Sequence, residues 1–229
     1  MHQAKMKSLF IAALFIVLSL VSGCSDNSSV SNKEQIVGSG KLVSETRAVA
    51  PFTGIQLVGS GNVVITHDTV QTLTVETDDN ILGLLSTSVE NGLLIVSLKD
   101  GSYSNITVNI HASMKTVNLL ECVGSGQFTT SGSVNTDVIT CRITGAGSMT
   151  LNGTARSETI EIDGAGEIHN FGLVSSTCSA AISGAGNIEV AVTDELTASI
   201  AGSGVITYTG NPPTVHQTIS GTGVIKARP

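Results

Sequence analysis

The chain has no tryptophan, two tyrosines, five phenylalanines and four prolines in 229 residues, and only 13% of it is charged. Each shortage removes a class of function. Few aromatic rings leave few platforms on which sugars stack, which weighs against a carbohydrate-active enzyme. Basic residues number 11 against 18 acidic ones, and a net charge of −7 suits neither nucleic acid nor anionic lipid headgroups. No close cysteine pair has metal-ligand spacing, and no serine sits in a Gly-x-Ser-x-Gly elbow. The histidines (His2, His67, His111, His169, His216) are scattered, and His67 beside Asp68 reads as a turn rather than a general-base pair. No catalytic residue, metal or cofactor is therefore expected. What the chain does have is 25 glycines amid abundant Val, Ile, Thr and Ser, a composition of strands and tight turns.

The longest apolar stretch, Leu9 to Leu20, is broken only by Ser19 and follows Lys5 and Lys7. It is short of the about 20 residues a permanent span requires and fits an export signal over residues 1–23. The ending Val21-Ser22-Gly23-Cys24 resembles a bacterial lipobox, which implies that Cys24 carries a lipid and becomes the first residue after cleavage. The sorting aspartate of inner-membrane lipoproteins would stand at Ser25. Here the aspartate comes one place later, at Asp26, which favours the outer membrane. Loss of Lys5 and Lys7, with no acid lost, takes the charge from −7 to −9. Residues 24–35 then form the lipidated cysteine and a polar, flexible tether, and residues 36–229 the folded domain.

Within that domain, EIDGAGEIHN (from Glu161) raises the question of a phosphate-cradling loop. A dinucleotide fold would place a third glycine where His169 stands and a helix after it, and neither is present. The same Gly-small-Gly triplet also recurs eight times, beginning at Gly38, Gly59, Gly124, Gly145, Gly164, Gly184, Gly202 and Gly221. The gaps are 21, 65, 21, 19, 20, 18 and 19 residues. A period near 20 is the signature of a solenoid, and a nucleotide loop does not repeat in this way. The long gap is close to three ordinary ones, so two copies there are expected to have lost their glycines.

The residues around the triplets identify the solenoid. Two places before the first glycine stand Ile36, Leu57, Cys122, Ile143, Ile162, Ile182, Ile200 and Ile219. Four places after it stand Leu42, Val63, Phe128, Met149, Ile168, Ile188, Ile206 and Ile225. All are apolar at even offsets, and strand side chains alternate faces with period two. The odd offset of minus three holds Gln35, Gln56, Glu121, Arg142, Glu161, Ala181, Ser199 and Thr218, with one apolar member. Coils of about 20 residues leave no room for a helix in each repeat. An all-β parallel β-helix is expected, about nine intervals and on the order of 45 Å long. The glycines of the later triplets, Gly124, Gly126, Gly145, Gly147, Gly164, Gly166, Gly184, Gly186, Gly202, Gly204, Gly221 and Gly223, are expected to turn its corners. Residues 66–121 lack triplets and read as less regular coils or a packed sheet. There Asp78-Asp79-Asn80 is expected to cap a helical turn and Asn91-Gly92 to make a two-residue hairpin turn.

Stacking implies an ion ladder of Glu121, Arg142 and Glu161. It also puts Glu161, Asp163, Glu167 and His169 at odd offsets of one coil, the densest candidate surface cluster for a cation or a sugar. Cys122, Cys141 and Cys178 fall at even offsets and are expected to be buried free thiols, since the nearest pair is a diagonal too long for a disulfide.

FTGIQLVGSGNVVIT, TVETDDNILGLLSTSVENGLLIVSL and the later GSG/GAG series resemble the head GIN domain family of autotransporter adhesin heads, over roughly Gly38 to Ala227. The resemblance implies a right-handed parallel β-helix on an exported bacterial protein and brings no catalytic residues. The expected function is a non-enzymatic envelope lipoprotein, held in the membrane through Cys24, that binds a protein or glycan partner. A structural spacer and a β-helix polysaccharide enzyme are the alternatives.

Overall fold

A computed structural model describes residues 34–228, so the export signal and Cys24 lie outside the described residues. Every regular element among the described residues is a strand. In chain order these are β1 (Gln35–Val37), β2 (Leu42–Thr46), β3 (Gly54–Gly59), β4 (Asn62–His67), β5 (Thr72–Asp78), β6 (Leu85–Glu90), β7 (Leu93–Leu98), β8 (Ser102–Ser104), β9 (Val108–Met114) and β10 (Leu119–Gly124). They continue as β11 (Gln127–Ser131), β12 (Val134–Gly145), β13 (Ser148–Thr150), β14 (Asn152–Gly164), β15 (Glu167–Gly184), β16 (Asn187–Gly202), β17 (Val205–Thr209), β18 (Thr214–Gly221) and β19 (Val224–Ala227).

The coils stack in parallel register. On the first face, ahead of the triplet corner, the order is β7, β3, β10, β12, β14, β15, β16, β18. On the second face, past the corner, β9, β4, β11, β13, the start of β15, the start of β16, β17 and β19 follow one another. The first parts of β12 and β14 and the middles of β15 and β16 make a third face, Val134 pairing with Gly153 and Gly153 with Leu173. The long strands β12, β14, β15 and β16 thus run around corners with their ladders nearly unbroken. The fold is a parallel β-solenoid, with five coil-to-coil steps from Gly124 to Gly221.

The inward columns form one core. Leu57, Cys122, Ile143, Ile162, Ile182 and Ile200 are each at most 2% exposed, and Val63, Phe128, Met149, Ile168, Ile188 and Ile206 are fully buried. Each large aliphatic side chain so buried contributes about 1.5–3 kcal/mol. The columns fail at both ends. Ile36 and Leu42 do not enter the core, and Ile219 on the last coil is 44% exposed. Cys122, Cys141 and Cys178 are buried and free, as their parity implies.

The 65-residue gap does not hold two degenerate coils. Gly124 pairs directly with Gly59, so the coil of β10 sits on the coil of β3 with nothing between them. The intervening chain folds to the other side, where β7 and β9 continue the stack and antiparallel strands close it: β6 on β7, β5 on β9, and β2 on β5. Eight strands on the first face make seven steps, about 34 Å at about 4.8 Å each rather than 45 Å. Asn91 and Gly92, both at positive φ (51° and 79°), form the β6–β7 hairpin turn.

The first triplet is not a corner of the stack either. The β1 strand pairs with β8 in a separate two-stranded sheet. Gly40 N–H donates to Asp78 Oδ1 (2.7 Å), while Asp78 Oδ2 accepts from Thr107 N–H (2.8 Å). The buried Asp78 carboxylate therefore latches the N-terminal strands to the cap, and those N–H groups hold its pKa below the ordinary carboxylate range. The segment after it makes consecutive turns, with Leu82 N–H donating to Asp78 O (3.1 Å) and Leu85 N–H to Ile81 O (3.1 Å), the spacing of single helical turns.

Candidate functional site

The triplet column is the most regular feature of the surface. Its first glycines, from Gly59 to Gly221, have φ between 111° and 138°, a region that residues with a Cβ rarely adopt. At each corner from Gly124 onward the middle residue donates its N–H to the first glycine of the preceding coil, as Ala165 does to Gly145 (2.9 Å). The residue after the triplet does the same to the second glycine, as Glu167 does to Gly147 (3.0 Å). The backbone ladder is thus continuous through the turn, which brings successive corners too close for side chains. A Cβ on Gly164 would lie 2.5 Å from Gly145 O, and one on Gly166 would lie 2.6 Å from Cγ2 of the inward Ile143. The corner is a structural site, closed by the backbone of the neighbouring coil and by inward side chains such as Ile143.

On the first face, Arg142 Nε donates to Glu161 Oε2 (2.6 Å), and this partner holds the guanidinium pKa above its ordinary value. Glu121 instead accepts from Gln56 Nε2 (2.8 Å), so the ladder is an ion pair beside an amide–carboxylate pair. Both ends of the ion pair are more than two-fifths exposed, and such pairs contribute little to stability. Beyond Glu161 the outward positions are small, and a shallow depression of about 560 Å³ runs past Asp163, Ala181, Ser183 and Ser199 towards Thr218.

The candidate cluster of Glu161, Asp163, Glu167 and His169 is divided by the corner. Glu161 and Asp163 face the depression on the first face, whereas Glu167 and His169 belong to the second. His169 lies between Glu189 (Nδ1 to Oε2, 2.9 Å) and Glu167 (Nε2 to Oε2, 3.3 Å). The hydrogen bond to Glu189, one coil along, raises its pKa. Among the described residues no group of three or more His, Cys, Asp or Glu side chains is arranged to hold a metal ion. Farther along the second face, Phe171, Glu189, Thr207, Lys226, Ala227 and Arg228 line a groove of about 680 Å³.

The interior holds a group that parity could have revealed. Glu158 stands six places before its triplet, an even offset like that of Cys178, and it is fully buried in a column between Ile139 and Cys178. Its Oε1 accepts from Asn170 Nδ2 (2.7 Å), and Asn170 Oδ1 accepts the N–H of Leu151 (3.1 Å). Oε2 has no partner. Burial without a cation raises the Glu158 pKa from 4.5 to about 7. Burial first, and then the Glu158 charge, push the Cys141 and Cys178 thiols well up, which leaves both as inert packing groups.

This stack has counterparts of known structure. The crystal structure of a "putative adhesin" from Bacteroides fragilis NCTC 9343 is 24% identical, with a TM-score of 0.69 over 84% of this chain and 100% of that one. That of a "putative lipid binding protein" from Parabacteroides distasonis ATCC 8503 is also 24% identical, with a TM-score of 0.52 over 86% of this chain and 100% of the other. At such identities the likeness is one of fold. No curated protein compared with the chain matches it. The family model described as "Putative auto-transporter adhesin, head GIN domain" matches residues 51–212, from just before β3 to the loop before the last coil, and the chain belongs to that family.

Proposed function

We propose that the protein is a lipid-anchored envelope protein of the outer membrane that binds a protein or glycan partner and performs no chemistry. The observation that carries this reading is the outward surface of the stack. In-register ladders hold Ser, Thr and Ala positions in flat rows across successive coils, fixed by a continuous backbone hydrogen-bond network. Such a surface is rigid before any partner arrives, so little conformational freedom is lost on contact. The family's adhesin description and the solved adhesin counterparts support binding over catalysis. The lipid on Cys24 and the polar tether behind it would hold the domain at the membrane and leave its faces accessible.

Two measurements test this reading. Metabolic labelling with a radioactive fatty acid should mark the wild-type chain and fail to mark Cys24→Ala, which should also leave the membrane fraction. Labelling of the variant equal to wild type would refute the anchor. Full-length wild-type protein in detergent should bind at least one surface in a panel of immobilised envelope proteins and polysaccharides. Cleavage of a polysaccharide in that panel would move the reading to an enzyme.

A further inference from the structure

We propose that the groove on the second face binds an acidic saccharide, with Phe171 beneath the sugar ring and Arg228 and Lys226 on its carboxylate. This inference goes beyond the flat rows described above to a separate groove, and it rests on the binding reading. Three observations converge on the groove. Phe52 and Phe128 are buried in the core, but Phe171, the third phenylalanine among the described residues, is only partly buried and lines the groove. Of the four arginines, Arg47, Arg142 and Arg156 each contact a carboxylate, on Glu45, Glu161 and Asp137. Arg228 makes no such pair among the described residues and lies with its guanidinium 4.7 Å from the centre of the Phe171 ring.

Register explains how these groups meet. Glu189, Thr207 and Lys226 are successive members of one outward ladder. Phe171, Ala191, Thr209 and Arg228 stand seven places after their first glycines, two places beyond that ladder's offset, and Phe171 lies in a bulge between Asn170 and Val174, whose partners Val190 and Ala191 are consecutive. Glu189, the acid on the groove wall, is engaged by His169 Nδ1 (2.9 Å). Two exposed cations without ion-pair partners among the described residues thus occupy one wall in a chain whose net charge is −7. A guanidinium takes a carboxylate through paired N–H donors and keeps a flat face for the aromatic ring. The apolar C–H face of a pyranose suits the remaining ring surface, and the Thr207 hydroxyl on the groove wall is a hydrogen-bonding group for a sugar hydroxyl. A ring bearing a carboxylate uses the aromatic face, the Thr207 hydroxyl and both cations, whereas a neutral sugar leaves both cations idle.

The test uses the full chain in detergent, with a short oligogalacturonate and a neutral oligogalactoside as probes, read by calorimetry. The acidic probe should bind and the neutral one should not. Losing a charge-assisted contact should weaken binding about tenfold or more in Arg228→Ala, with partial recovery in Arg228→Lys. Phe171→Ala should weaken it as well. Equal binding of both probes, or unchanged binding in Arg228→Ala and Phe171→Ala, would overturn the proposal, as would selective binding of polyglutamate instead of the saccharide. If wild type binds a surface of the wider panel but not the acidic probe, this groove is excluded while the binding reading stands. If wild type binds neither the probe nor anything in that panel, both fall.

Discussion

Gly164→Ala should destabilise the domain far more than Gly59→Ala, although both replace the first glycine of a corner at similar φ (127° and 111°). Any residue with a Cβ at such φ costs about 1–3 kcal/mol, and that cost is common to the two sites. The difference lies beneath them. At Gly59 a Cβ meets nothing within 4 Å, whereas at Gly164 it lies 2.5 Å from Gly145 O, the acceptor of the Ala165 N–H. The coils must separate at that corner, and the adjoining ladders on both faces shift with them. Gly164→Ala should cost about 4 kcal/mol or more, in the range of overpacked cores and broken networks, and Gly59→Ala about 1–3 kcal/mol. Urea unfolding of both variants measures the difference. Equal losses would mean that backbone strain alone, and not the close approach of the coils, demands glycine in this column.

Glu158→Gln should stabilise the protein at pH 8 and leave it unchanged at pH 4. Below pH 4.5 the carboxyl is protonated in folded and unfolded chains alike and adds nothing. Between 4.5 and about 7 the unfolded chain ionises while the folded one stays neutral, so wild-type stability falls as pH rises and levels off above 7. At about 1.4 kcal/mol for each pH unit, that window amounts to about 3 kcal/mol. Glutamine keeps the oxygen that accepts from Asn170 and has no charge to bury. Unfolding curves at the two pH values should therefore converge in acid and separate by about 3 kcal/mol in base. Parallel curves would show that water or a rearranged partner already solvates Oε2.

The regular coils were legible because two even-offset columns marked the inside residue by residue from Leu57 to Ile206. The same parity also placed Cys122, Cys141 and Cys178 in the core. Glu158 and Asn170 followed that rule, six places on either side of Gly164, yet an acid among hydrophobes breaks the apolar pattern that made the columns visible. The cap was legible only as one of two alternatives, less regular coils or a packed sheet, for a different reason. A gap of 65 residues divides almost evenly into three periods, so the spacing suggested coils where the chain makes an excursion. Only the pairing of Gly59 with Gly124 reveals the jump. Gly38 misled in a related way, since its triplet copies the corner motif while its strands belong to the latch on Asp78. The cluster of three acids and His169 rests on offsets alone. Offsets carry no sign for the direction of a turn, and the corner at Gly164–Gly166 sends its two halves to different faces.

The junction of Gly59 with Gly124 also governs the order in which the chain assembles. Between Gly124 and Gly221 each coil reaches its predecessor across 18 to 21 residues, whereas the coil of β3 reaches β10 only across 65. Closing the longer loop costs about 1 kcal/mol more in chain entropy, before the cap strands have found their own partners. Nucleation therefore belongs to the coils between β10 and β18, which grow by short local steps, and the capped end docks afterwards on an edge already formed. Pulse-labelling hydrogen exchange should record that sequence as early protection of residues 140–202 and late protection of residues 54–114, even though the later-protected segment is the first to be synthesised.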